Sequence, residues 1–239
     1  MNQLVAIHAK VPGAASATIR RLDSGRDVVW VDIESSDRKG ALTADASSVI
    51  EAAAVHALTE RKPLVLEMGS SGADIAEGIA SLHGWGRAAK AITQCSGIVP
   101  VFIIVEGPAV SGPALLLGLA DFVIMTKDAY AFVSGPSMVT QFTGIEIDTE
   151  ELGGATTHAR ASGVASLVVD DVESARESID NLLYYLPDHT DALPPRAETS
   201  DPANRETPEA GELIPESSTG SYDVRHVIES LADDGEFLE

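Results

Sequence analysis

The chain holds a single cysteine, Cys95, among its 239 residues. That scarcity excludes an intrachain disulfide and any cysteine-rich zinc site, and it fits a reducing cytosol. Basic residues are scarce as well: 16 Lys and Arg stand against 37 Asp and Glu, a formal net charge of -21. A phosphate backbone or an anionic membrane surface would be repelled over a Debye length, so neither nucleic acid nor membrane is an expected partner. An anionic small ligand would need helix N-termini or local cations such as Arg61, Lys62, Arg87 and Lys90. No run of about 18 uncharged apolar residues occurs, and MNQLVAIHAKVPGAAS has too short an apolar stretch for a signal peptide. A cytoplasmic protein is expected. Aromatics make up only 5% of the residues, yet 44% are hydrophobic, enough for one sizeable core.

What is present is an alternation of strand and helix patterns. Residues 4–8 and 17–22 are weak strand candidates, and Asp27 to Ile33 is a strong one, rich in β-branched residues. Thr43 to Arg61 has helical spacing, with Val49, Ile50, Ala53, Ala54, Ala57 and Leu58 on one side and Thr43 or Asp45 as cap. Pro63 to Met68 reads as the next strand. After Gly69-Ser70-Ser71-Gly72, a helix from Asp74 to about Gln94 is expected to bury Ile75, Ile79, Leu82, Trp85, Ala89 and Ile92. Val101 to Val105 is a buried strand, and Ser111-Gly112-Pro113 opens an all-apolar helix, Ala114 to Ala120.

Strands at Asp121–Met125 and Ala129–Val133 follow, then Ser134-Gly135-Pro136 before another helix. Thr149 to Gly154 reads as a capped turn of helix, Ser166 to Val169 as a last strand, and Val172 to Leu186 as an amphipathic helix. Residues 187–220 hold six of the 12 prolines and read by composition as linker, before helical spacing returns at Tyr222 to Leu231. The pattern is α/β with a mostly parallel sheet.

The turn at Ser111 and Gly112 carries the chemistry. Amide N–H groups at a helix start are unpaired and lie at the positive end of the dipole, so they can hold an oxyanion. Neither glycine loop matches a dinucleotide or nucleotide phosphate motif. A serine hydrolase would need a base beside Ser111, and residues 129–139 contain no histidine. His158 reads as a satisfied structural histidine, the other histidines lack metal-ligand spacing, and Glu150-Glu151 reads as a solvated helix start. Cys95 reads as simply buried.

Taken together, KGALTADASSVIEAAAVHALTERKPLVLEMGSSGADIAEG, SGIVPVFIIVEGPAVSGPALLLGLADF, AFVSGPSMV, EELGGATTHARASGVA, NLLYYLP and YDVRHVIESLADDGEFLE resemble one known family in order and spacing. It is the N-terminal half of the carboxyltransferase β subunits of biotin-dependent acyl-CoA carboxylases, in the crotonase (ClpP-like) superfamily. The resemblance implies a crotonase-like domain over 1–186, an extended arm over 187–221 ordered against neighbouring protein, and a docking helix over 222–239.

The resemblance also implies a reaction and its partners. A carboxyl group would pass from carboxybiotin, carried on a partner protein, to an acyl-CoA, with no metal. Partners would be a C-terminal-type carboxyltransferase chain and a biotin carrier or biotin carboxylase subunit, in a hetero- or homo-oligomer. The family's GPCAGGA appears as GPAVSGP, which puts Ser111 and Gly112 on the two glycines of the acyl-CoA oxyanion hole. Gly72, Ala73, Gly135 and Pro136 would line the acyl-CoA side. The family's DSGGAR appears as GSSGAD, with Asp74 in place of arginine. Asp74 and Ser111 favour one alternative to the full reaction, a non-catalytic structural half-domain, and a second alternative is a biotin-independent acyl-CoA decarboxylase or hydrolase that reuses the same oxyanion hole.

Overall fold

The computed structural model describes residues 5–11, 15–34 and 38–238. The chain divides into two compact units, Met1–Pro195 and Arg196–Glu239. In chain order the first contains β1 (Val5–Val11), β2 (Ala15–Arg21), β3 (Asp27–Ile33), α1 (Ala44–Glu60), β4 (Leu64–Ser70), α2 (Ile79–Cys95) and β5 (Val101–Val110). It continues with α3 (Gly112–Leu116), β6 (Phe122–Thr126), β7 (Tyr130–Phe132), α4 (Pro136–Thr143), α5 (Thr149–Gly153), α6 (Ala155–Thr157), β8 (Leu167–Val169) and α7 (Val172–Tyr185). One mixed sheet runs β1-β2-β3-β4-β5-β6-β8, with β7 paired to the far end of β5. The first two pairings are antiparallel and all later ones parallel, as the strand-helix alternation implies. Of the first expected strand, residue 4 lies outside the described residues.

Every residue of β4 is buried, the mark of a parallel strand covered on both faces. On one face α1 and α2 pack over Val29, Val31, Leu64, Leu66, Ile103 and Val105. On the other, Ile179 and Leu183 of α7 cover Trp30, Val65, Phe102 and Ile104. That second face ends in charge. Arg20 lies 2.6 Å from Asp32 and stacks 4.3 Å from the Trp30 ring centroid, while the Arg176 Nε–H donates to Glu67 at 2.9 Å. Burial pushes the Asp32 carboxyl above its usual range in spite of Arg20. The pairing keeps Glu67, buried on a central strand, from standing as an uncompensated charge.

The first helix follows its spacing. Thr43 caps α1 by accepting the Ala46 N–H at 3.0 Å, and Val49, Ile50, Ala53, Ala54 and Ala57 are buried. The second helix follows its spacing only in its later turns, where Ile92 is buried and Trp85 and Ala89 pack against the core. It starts at Ile79 rather than Asp74, after a 3-10 turn at Ile75–Glu77 and Gly78 at φ 56°. Its buried face is Ser81, Gly84, Ala88, Ala91, Ile92 and Cys95, whereas Ile75 and Ile79 are 93% and 84% exposed. Proximity to α1 explains the difference: a Cβ on Gly84 would lie 3.0 Å from the Ser47 Cβ, so only small side chains fit the seam. Cys95 is buried as read, its thiol donates to the Ala54 carbonyl at 3.4 Å, and burial pushes it up to about 11.

Two further expectations shift. The apolar stretch expected as one helix over Ala114 to Ala120 is α3 followed by a 3-10 turn at Leu117–Leu119, and Leu115 is half exposed. Residues 187–195 stay with the first unit, where the Thr190 N–H donates to the Ile98 carbonyl at 2.9 Å and Arg26 pairs with Asp188.

The second unit contains α8 (Pro208–Glu212) and α9 (Val224–Leu231) and has no buried residue among those described. The Arg205 guanidinium donates to the Ser230 and Ala232 carbonyls at 3.0 Å, tying the end of α9 to the segment before α8. Among the described residues no helix is long and apolar enough to cross a membrane.

Candidate active site

Two turns at the C-terminal ends of neighbouring parallel strands carry four of the six expected site residues. The first follows β4. Leu42 and Ala73 form a parallel bridge, in which the Leu42 N–H donates to the Gly72 carbonyl at 2.8 Å and the Asp74 N–H donates to the Leu42 carbonyl at 2.9 Å. Underneath, the Ser70 hydroxyl donates to the Gly40 carbonyl at 2.6 Å. Gly72 sits at φ +118°, a conformation that L side chains rarely adopt. The bridge uses the groups on either side of Ala73, and the Ala73 N–H finds no protein acceptor among the described residues.

Asp74 is 7% exposed. Its carboxylate accepts the Ala76 N–H at 2.8 Å and caps the 3-10 turn, while its carbonyl accepts the Ser81 hydroxyl at 2.8 Å. This carboxylate is therefore a helix cap, held back from the surface that an incoming anion would meet.

The second turn joins β5 to α3. Ser111 lies at φ 61°, ψ -120°, the geometry of the first central residue of a type II′ turn, where glycine is the usual occupant. Its N–H donates to the Phe132 carbonyl at 3.0 Å. The pair of free donors expected at Ser111 and Gly112 is thus reduced to one, because β7 takes the Ser111 amide. The Gly112 N–H has no acceptor among the described residues. A side chain at 112 would crowd the neighbouring helix, since a Cβ there would lie 3.0 Å from Cδ1 and Nε1 of Trp85. That indole N–H is itself buried without a partner.

The two turns touch. A Cβ on Gly72 would lie 3.4 Å from the Val110 carbonyl oxygen and 3.6 Å from the Ser111 Cβ. Adjoining turns therefore present two unpaired donors, the amides of Ala73 and Gly112. Nearby, Gly135 is the cap residue and Pro136 the first residue of α4, with the Gly135 carbonyl accepting the Met138 N–H at 3.0 Å. A Cβ on Gly135 would meet the ring of Phe132 at 3.4 Å, so the α4 start is tied to the turn through the residue that holds Ser111. The elements after the turns expose apolar side chains: Ile75, Ile79 and Leu82, then Leu115, then Met138 and Phe142. Four clefts of the first unit, one of about 540 Å³, are lined by other residues.

Three of the four candidate cations are already occupied, while Lys90 makes no ion pair among the described residues. Arg87 pairs with Glu51, Arg61 with Asp191, and Lys62 with Asp27 at 3.3 Å. His158 has both ring nitrogens satisfied, Nε2 on the Ala131 carbonyl and Nδ1 on the Ser162 hydroxyl, each at 2.7 Å. Glu150 and Glu151 lie in the first turn of α5, where Asp148 caps by accepting the Glu151 N–H at 2.7 Å. Among the described residues no group of three or more His, Cys, Asp or Glu is placed to hold a metal ion. Sequence reasoning missed the Phe132 carbonyl and the Trp85 edge as parts of the site. Both reach the second turn across long sequence separations, for which no local pattern exists.

Residues 21–239 match the carboxyl transferase domain family. A propionyl-CoA carboxylase carboxyltransferase subunit of Haloferax mediterranei is 38% identical over 71% of this chain and 33% of its own length. The methylmalonyl-CoA carboxyltransferase 12S subunit of Propionibacterium freudenreichii subsp. shermanii is 33% identical over 97% of this chain and 44% of its own. A solved transcarboxylase 12S structure, a hexamer with hydrolysed methylmalonyl-coenzyme A bound, superposes with a TM-score of 0.90 at 31% identity, covering 96% of this chain and 45% of that one. The chain thus spans less than half the length of these relatives. The crotonase-like fold inferred from the resemblance holds, and the chain belongs to the carboxyl transferase domain family.

Proposed function

We propose that this chain is the N-terminal-type part of an acyl-CoA carboxyltransferase and supplies the acyl-CoA side of the site. One observation carries the reading: Ala73 and Gly112 offer unpaired amide donors on touching turns, within a chain spanning less than half of its relatives. A thioester oxygen held by these two amides becomes a better site for enolate charge once the α-proton passes to a base, which would come from the partner side of the completed site, because donors placed in advance need no reorganisation. Removing one such donor costs on the order of 3 kcal/mol of barrier. Gly72 and Ala73, with Gly135 and Pro136 behind Phe132, form the wall against which the acyl-CoA lies. No side-chain nucleophile takes part, and Ser111 contributes its backbone conformation rather than its hydroxyl.

In this reading biotin, held by a partner carrier, supplies the carboxyl group, and no residue of this chain is assigned to it. A C-terminal-type carboxyltransferase chain completes the site, and the apolar rim of Ile75, Ile79, Leu82, Leu115, Met138 and Phe142 is the ground it would cover. The non-catalytic alternative drew on Asp74 and Ser111. Asp74 is accounted for as a cap, and Ser111 keeps the glycine-like turn.

The deciding experiment is isolation of the protein from its own cells at low salt, with identification of what accompanies it. A biotinylated carrier and a C-terminal-type chain in stoichiometric amounts, together with carboxylation that depends on acyl-CoA, are expected. Release of CO2 from a carboxyacyl-CoA without biotin would replace the reading with a decarboxylase. A lone monomer that binds no acyl-CoA would sink it in favour of a structural half-domain.

A further inference from the structure

β7 is three residues long, too short to hold its place by ladder bonds alone, yet its Phe132 carbonyl fixes the Ser111 amide. Its backbone carbonyls alternate in use. That of Ala131, with that of Ala129 just before the strand, serves the segment after β7, and that of Phe132 serves the turn after β5. On the first side the Ala155 N–H donates to Ala129 at 3.1 Å and the His158 Nε2 donates to Ala131 at 2.7 Å. A carbonyl can only accept, so His158 carries its proton on Nε2 and its Nδ1 accepts from the Ser162 hydroxyl. Gly153 permits the approach, since a Cβ there would lie 2.1 Å from the Ala131 carbonyl oxygen. The histidine opens a π-helical turn, His158–Ser162, whose wider coil returns Ser162 to the ring.

We infer that His158 is a positioning residue for the turn at Ser111. Acting through Ala131 and Phe132, it holds β7 in the register that keeps the Ser111 amide bonded, Ser111 at positive φ, and the Gly112 amide free. The consequence for acyl-CoA rests on the function proposed above, but the consequence for Ser111 does not.

Hydrogen exchange on the full chain separates the two. His158→Phe keeps a ring of similar size and removes both bonds, while His158→Gln keeps a side-chain N–H able to reach Ala131. Losing the clamp should raise Ser111 amide exchange about tenfold, with β4 and α1 amides unchanged. His158→Gln should recover most of that protection. Propionyl-CoA, used as the probe with the isolated complex, should bind more weakly to His158→Phe and near normally to His158→Gln. Unchanged exchange at Ser111 in a folded His158→Phe protein overturns the inference. So does an increase shared by the whole sheet that His158→Gln fails to reverse, since His158 would then be a general packing residue. If Ser111 responds as stated but even the unaltered complex ignores propionyl-CoA, the clamp stands and the acyl-CoA reading is what fails.

Discussion

The two turns of the site are built by opposite strategies. The turn after β4 is held by its neighbours in the fold on every side: Leu42 bridges it, Gly40 lies beneath it, and Asp74 caps the turn that follows. Its awkward conformation falls on Gly72, which adopts it without strain. The turn after β5 has fewer supports, the Phe132 carbonyl on one side and the Trp85 indole on the other. Its awkward conformation falls on a serine. Both turns rest on tertiary contacts, but the first has several backbone bonds to residues 39–42, whereas the second has one and stores strain of about 1–3 kcal/mol.

Breaking the first turn should have the largest effect. A Cβ on Gly40 would lie 1.8 Å from the Gly69 carbonyl oxygen, at φ +67°. Backbone must then move, so Gly40→Ala is expected to cost about 3 kcal/mol or more in denaturant unfolding. Gly112→Ala should be milder for stability, about 1 kcal/mol, because the Trp85 indole can yield by a few tenths of an ångström. Its mark should be non-additivity: combined with Trp85→Ala, the added cost of the alanine at 112 should vanish in a double-mutant cycle. Additive behaviour would show that the indole does not police that position. Asp74→Ala removes a cap and should cost about 1 kcal/mol. Asp74→Arg should cost at least as much, since the arginine offers no acceptor to the Ala76 amide.

The smallest change should have the opposite sign. Ser111→Gly relieves the strained φ and is expected to stabilise by about 1 kcal/mol after the entropic cost of an added glycine. A loss of stability there would mean that the serine makes up for its backbone in some other way, and the contrast between the turns would collapse.

Much of this architecture was readable in advance, and the exceptions share a cause. β3, β4 and β5 announce themselves as nearly continuous apolar runs, and α1 by apolar side chains at helical spacing. In and before α2 the same rule held for Ile92, Trp85 and Ala89 but failed for the first three expected residues. Ile75, Ile79 and Leu82 have helical spacing, but the seam with α1 admits only residues such as Gly84, Ala88 and Ala91, and hydrophobicity alone does not reveal how close two helices will come. At the site, Gly72, Ala73, Ser111 and Gly112 could be placed on turns from their neighbours in sequence. Which of their amides would remain free could not, because that depends on where β7 pairs.

The outward-turned α2 residues also bear on how isolated copies of the chain treat one another. Two copies meeting through Ile75, Ile79 and Leu82 would bury apolar surface, yet they would also bring together two bodies that each carry a formal charge of -21. At physiological salt that repulsion extends about 8 Å, and at 1 M it shrinks to about 3 Å, the reach of contact itself. The acidic surplus thus works as a colloidal brake on an adhesive patch, and light scattering should show self-association switched on by added salt rather than by added protein alone.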